Sequence, residues 1–140
     1  MTVKYLRDQR HIGTVEAIAK ARFPYPNEQV KNLEAVVNTP KRIICAGTYE
    51  GKELYPDIIV VRQPGQWLQM LVEVEMDDSV TDESALEDWL PMSRIGDLYI
   101  YVPVGLADEA KRLCKKHEIH AAGFRTWRFR PVWGVECHEV

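Results

Sequence analysis

Long apolar runs are missing from this chain. No stretch approaches the roughly 18 consecutive apolar residues that cross a bilayer, so no membrane span and no membrane partner is expected. The N-terminal MTVKYLRDQRH has no apolar h-region, which argues against a secretory signal and makes the cytoplasm the expected compartment. Cysteine is scarce. Cys45, Cys114 and Cys137 are odd in number, far apart and without a C-x-x-C pair. Neither a disulfide framework nor a structural zinc site is expected, and the thiols read as buried or inert. Glycine and proline stand at 8 each with no fixed period, which excludes collagen-like and repeat architectures. A basic excess is lacking too: 18 Lys and Arg against 21 Asp and Glu leave a formal charge of -3. A protein that holds nucleic acid by bulk charge is usually basic. Any such binding here needs a local patch or a metal ion. No Gly-rich phosphate loop, G-x-S-x-G elbow or H-E-x-x-H is present, so nucleotide and serine hydrolase chemistry has no motif and no organic cofactor is expected.

What is present suits one globular domain over residues 1–140. The 46% hydrophobic and 28% charged fractions can build one buried core. Thr14 can cap a helix to about Arg22, with Val15, Ile18 and Ala19 as its stripe. Asn27 can cap a second helix to about Asn38, on the spacing of Val30, Leu33, Val36 and Val37, and Pro40 stops it. Arg42 to Gly47 reads as a strand. Tyr55 to Arg62 and Trp67 to Met76 read as two more, joined through Gln63-Pro64-Gly65-Gln66 as a hairpin. Ser79 or Thr81 can cap a helix over about 82–94. Asp97 to Pro103 is strand-like, Leu106 to His117 helical and Gly123 to Arg130 strand-like, while residues 131–140 carry no signal that places them. The expected architecture is α/β, a mixed β-sheet flanked by helices, with one parallel crossover and one antiparallel hairpin.

Pro56-Asp57 is followed, after fifteen residues, by Glu73-Val74-Glu75. Strand side chains alternate between faces. Leu68, Met70, Val72, Val74 and Met76 then form one face, and Trp67, Gln69, Leu71, Glu73 and Glu75 the other, with the two glutamates about 7 Å apart. An odd hairpin loop centred on Pro64 or Gly65 sets Asp57 opposite Leu71 or Glu73, on the glutamates' face. A two-residue Pro64-Gly65 loop sets it on the apolar face, but proline disfavours the primed turns such a loop needs. The odd loop, with Asp57, Glu73 and Glu75 in one patch, is therefore expected. Three such carboxylates either share protons or hold a hard cation, and an oxygen-rich site with few ligands suits Mg²⁺ or Mn²⁺. The plain alternative is a solvated strand face. It is weakened because a strand this apolar belongs at the sheet centre, where an unpaired acidic cluster is costly.

The PD-x15-E-x-E spacing on a hairpin, with a helix and a strand on either side, resembles the PD-(D/E)xK phosphodiesterase superfamily, the group of restriction endonuclease-like nucleases. The resemblance covers roughly residues 27–130 and implies an αβββαβ core. It implies that Asp57, Glu73 and Glu75 are catalytic, that Asp57, Glu73 and the Val74 carbonyl bind the metal, and that Mg²⁺ or Mn²⁺ is the cofactor and DNA the partner. Glu75 stands where the superfamily usually has lysine. Lys52, or less readily Lys41, would have to reach in to replace it. Glu34, with Glu16 behind it, is the accessory acid that the resemblance implies on the first core helix, and Ser93 and Arg94 fall where phosphate contacts are often made. The competing expectation is a catalytically inactive module for interaction or assembly, possible as a homodimer.

Other signals are weaker. Arg125, Arg128 and Arg130 interleave with Trp127, Phe129 and Trp133, a pattern that can hold nucleic acid. Strand alternation instead puts Arg128 and Arg130 outward and Trp127 and Phe129 inward. His117 and His120 read as surface histidines.

Overall fold

The computed structural model describes residues 2–140. Helix α1 (Val3–Arg22) is twice the expected length because the chain supplies a cap earlier: Thr2 accepts a hydrogen bond from the Tyr5 amide. Thr14, the expected cap, lies mid-helix, and its hydroxyl donates back to the Arg10 carbonyl. Phe23-Pro24 ends the helix.

The expected second helix is not formed. Asn27 accepts from the amides of Gln29 and Val30, which makes a turn rather than a cap, and Leu33–Val37 is strand β1. The apolar residues there fit both periods over so short a run, and pairing with β4 decides. The expected strand from Arg42 is absent as well. Buried Asn38 takes over its backbone groups: it accepts from the Ile43 and Ile44 amides and donates to the Ile44 and Pro56 carbonyls. A short hairpin follows, β2 (Gly47–Tyr49) with β3 (Lys52–Leu54).

Strands β4 (Ile58–Arg62) and β5 (Trp67–Val74) form the expected antiparallel hairpin. A helical segment comes next: α2 (Asp82–Ser84), a π-helical turn (Ala85–Trp89) and α3 (Leu90–Ile95). Thr81 caps it through the Ser84 amide. The π turn ends two residues before Pro91, which has no N–H for the ordinary ladder, and the Leu90 amide reaches back to the Ala85 carbonyl. Strand β6 (Leu98–Pro103), helix α4 (Ala107–Lys116), β7 (Gly123–Arg130) and β8 (Gly134–Glu139) complete the chain. Residues 131–140, which carried no sequence signal, thus hold a turn and the edge strand β8.

The sheet order is β1-β4-β5-β6-β7-β8. β5–β6 and β6–β7 are parallel and the other pairs antiparallel, so the sheet is mixed as expected and β5 is central. Helix α1 covers one face through Val15 and Ile18 against Ile58, Val60, Val72, Val74 and Tyr101. The α2–α3 segment and α4 cover the other through Trp89, Met92, Ala110 and Leu113 against Leu71, Leu98, Ile100 and Val102. Among the described residues no helix is long and apolar enough to cross a membrane.

A candidate carboxylate pocket at the end of the central strand

The loop between β4 and β5 has an even number of residues, because Arg62 pairs with Trp67 and Val61 with Leu68. That corrects the expected odd loop. A β-bulge then leaves Gln69 unpaired, so Val60 meets Met70 and Ile58 meets Val72. Continuing this register sets Asp57 opposite Glu73, and the Asp57 amide donates to Glu73 Oε1 at 3.0 Å. The bulge also corrects the expected faces. Met70, Val72 and Val74 pack toward α1, whereas Leu68 joins Leu71 on the opposite side.

Glu73 alternates with Val72 and Val74 and therefore faces the α2–α3 layer. Glu75 continues past the strand end, where its amide donates to the Tyr101 carbonyl. Its side chain accepts from Trp89 Nε1 at 3.1 Å, and Trp127 Nε1 donates to its carbonyl from the other side. Asp57 and Glu73 are 7% exposed and Glu75 5%, so three carboxylates are buried together. They line a polar cavity of about 270 Å³ with the Val74 backbone, His11, Arg7, Ser79 and Asp88. Four acids and two basic side chains thus share one small space.

The electrostatics follow from burial. Glu73 is held well above the usual carboxyl range by desolvation, and then by Asp57 and Glu75. Burial likewise lifts Glu75 to about 7, although Ser79 and Trp89 stabilise its charged form. Asp88 is raised by burial, with Lys52 pulling the other way. Burial lowers the basicity of His11, but Asp57, the Val74 carbonyl and Glu75 together outweigh it, and the imidazole stands above its ordinary value. Arg7 is tied by its Nε to Asp78 at 2.6 Å at the rim.

Asp57 is well partnered. Oδ1 accepts from Thr39 Oγ1 at 2.6 Å, Oδ2 accepts from the Val74 amide at 2.8 Å, and His11 Nε2 approaches Oδ2 to 3.4 Å. In this arrangement, among the described residues, no three His, Cys, Asp or Glu side chains form a ready group for a metal ion. The donor set nevertheless fits one. Oxygen donors dominate, and burial pushes both Glu73 and Glu75 toward protonation.

The accessory residues sort clearly. Lys52 lies on β3, close enough to Asp88 to act on its charge. Lys41 is exposed in the turn after β1. Glu34 is on a strand, not on a helix, and pairs with Val61 at the far end of β4, where it accepts from Gln63; this corrects its accessory role. Glu16 is an exposed residue of α1. Ser93 donates to the Leu90 carbonyl, and Arg94 lines a different cleft with Lys111 and Lys115. Arg128 and Arg130 pair with Glu136 on the surface, and Phe129 is exposed rather than turned inward; Trp133, in the turn after β7, is exposed too. His117 is pinned by Asp82 at 2.6 Å. All three cysteines are free, and burial lifts Cys114 to about 11.

The residue pattern did not reveal His11 and Asp88 as lining the pocket, nor Thr39 and Trp89 as hydrogen-bond partners of its acids. His11 was within reach: it precedes Val15 by four and Ile18 by seven, so extending the α1 stripe one turn backward places it on the buried face. No family model, no curated protein and no solved structure matches the chain.

Proposed function

We propose that the chain is a divalent-metal-dependent phosphodiesterase acting on DNA, with the carboxylate pocket as its active site. The observation that carries this reading is the burial of Asp57, Glu73 and Glu75 around one polar cavity, at a position where nothing in the packing requires acid. The order α1-β1-β4-β5-helix-β6 supports it, being the αβββαβ order of restriction endonuclease-like nucleases with the short β2–β3 hairpin inserted.

Asp57, Glu73 and the Val74 carbonyl would hold Mg²⁺ or Mn²⁺. Such an ion, when bound, supplies a water of lowered pKa and offsets charge on the phosphate. The chain does the rest. Glu75, lifted to about 7, is suited to take a proton near neutral pH, and Trp89 fixes its orientation. Lys52, on β3 and near enough to act on the charge of Asp88, is the lysine that would serve the phosphate in this reading.

A second reading is a nuclease-like domain without activity that serves in assembly. The engagement of Asp57 by Thr39, Val74 and His11 favours it. One experiment separates the two: nicking of supercoiled DNA by the purified chain with Mn²⁺ or Mg²⁺, against Asp57→Ala and the gentler Glu73→Gln. The phosphodiesterase reading expects metal-dependent nicking lost in both variants. Equal nicking by wild type and variants, or none at millimolar metal, overturns it.

A further inference from the structure

The choice of ion at this pocket is the next question, and the answer rests on the metal-dependent reading above. His11 is the one imidazole lining the cavity. Its Nε2 lies 3.0 Å from the Val74 carbonyl oxygen and 3.4 Å from Asp57 Oδ2. These are two of the atoms already assigned to the ion. Two ligands at right angles on one octahedral ion, with bonds near 2.1 Å, sit about 3 Å apart. The nitrogen stands at that separation from the Val74 oxygen and a few tenths of an ångström beyond it from Asp57 Oδ2, which a small turn of the imidazole closes.

The placement is held from behind. Val15 and Ile18 are both fully buried on the same side of α1, which fixes the roll of the helix against the sheet. Thr39 holds the other oxygen of Asp57, so Oδ2 is the atom turned toward His11.

We propose that His11 is a metal ligand, and that this nitrogen makes the site prefer a first-row transition-metal dication over Mg²⁺. Oxygen donors alone suit Mg²⁺, Ca²⁺ and Mn²⁺, whereas imidazole suits transition ions and adds little for Mg²⁺. On binding, Nε2 exchanges its hydrogen bond to the Val74 carbonyl for coordination: a ring that carries both protons releases the Nε2 proton to solvent, and a neutral ring shifts to its Nδ1–H tautomer with no net proton change.

The test uses the full chain with Mn²⁺ as the probe. Pulsed electron paramagnetic resonance of the bound Mn²⁺ should show modulation from a directly coordinated imidazole nitrogen, lost in His11→Gln. Calorimetric titration should give a preference for Mn²⁺ over Mg²⁺ of about tenfold, falling to near parity in His11→Gln with Mg²⁺ affinity little changed. Bound Mn²⁺ without nitrogen modulation, or equal affinity for the two ions, overturns the role of His11 and leaves the carboxylate site standing. No binding of either ion, in wild type or variant, overturns the metal reading itself. The wild-type spectrum alone decides the nitrogen question, so a variant that fails to fold does not block the answer.

Discussion

Acidic side chains meet two very different environments in this molecule. On the β7–β8 hairpin, Glu136 is surrounded by Arg128, Arg130 and His138, all at the surface. At the end of β5, Glu73 and Glu75 are buried beside Asp57 and Asp88, with His11 and Arg7 as the basic side chains lining the same cavity. The hairpin has the richer set of ion pairs and the lower carboxyl pKa, set first by the His138 hydrogen bond. The pocket has the raised pKa values, set first by burial. Water screens the hairpin charges, so their pairing decides little. In the pocket the same charges lose water, and the deficit of positive charge becomes a standing cost. Counting ion pairs would rank the two regions in the wrong order of importance.

The sharpest way to break the comparison is through the pocket wall. Trp89 is fully buried and bridges the core to Glu75 through its indole N–H. Trp89→Ala should cost about 3–5 kcal/mol of unfolding free energy in urea denaturation. Trp89→Phe keeps most of the volume but leaves Glu75 without that donor, so its cost should be smaller and should grow from pH 5 to pH 7.5 as Glu75 ionises.

Next in size is the acid itself. A carboxyl lifted from 4.5 to about 7 binds its proton more tightly folded than unfolded. Its contribution is fully present below the unfolded value and is lost as pH rises through the folded one. In metal-free buffer, stability should therefore fall between pH 4.5 and 7 by about 3 kcal/mol on account of Glu75. Glu75→Gln should flatten that slope: near wild-type stability at pH 5, and higher stability than wild type at pH 7.5. An unchanged slope would show that Glu75 titrates normally. His11, raised as well, loses its share only above its ordinary value near 6.5, so measurements up to pH 6 leave it out; Glu73 and Asp88 are raised too, so the difference in slope between wild type and Glu75→Gln is the readout.

A cation should reverse the same loss. At pH 7.5, Mn²⁺ at a hundred times its Kd should restore about 2.7 kcal/mol, read as a higher melting temperature that EDTA abolishes. Glu73→Gln should weaken that response. No shift at millimolar Mn²⁺ would leave the pocket's acids without a cation and favour the assembly reading.

Much of this contrast is visible in the residue order, and the parts that are not have identifiable causes. The alternation over Trp67–Met76 puts Glu73 and Glu75 on one side, and both line the same cavity; the apolar content of that run marks it as central, and β5 lies inside the sheet. Asp57 was brought to Glu73 by the wrong device. An odd loop was expected, but an even loop followed by a bulge at Gln69 does the work, and nothing in a single polar residue announces a bulge. Leu33–Val37 was misread as helix because five residues satisfy either period, and the deciding partner, β4, lies 21 residues beyond Val37 at its nearest paired residue, Ile58. His11 was missed because Thr14 looked like a cap, while the real cap, Thr2, lies twelve residues earlier. The local pattern thus found the strand that carries the acids, and long-range packing supplied the groups that surround them.

The smallest effect is expected at the hairpin, and it completes the comparison. Glu136 holds Arg130 Nε at 2.6 Å and Arg128 at 3.3 Å, with His138 on the same carboxyl oxygen as Arg128. It thus has three ion-pair partners. Its neighbours are open to solvent, where Coulomb attraction is weak and long side chains resist being fixed. Glu136→Gln should therefore change the denaturation midpoint barely or not at all, and 1 M salt should erase what difference there is, since screening acts on exposed pairs first. Glu75→Gln under the same salt should keep most of its effect, because its cause is lost hydration and not a screened pair. If salt removed both effects equally, the two acids would share one environment, and the carboxylate pocket would be only a surface like the hairpin.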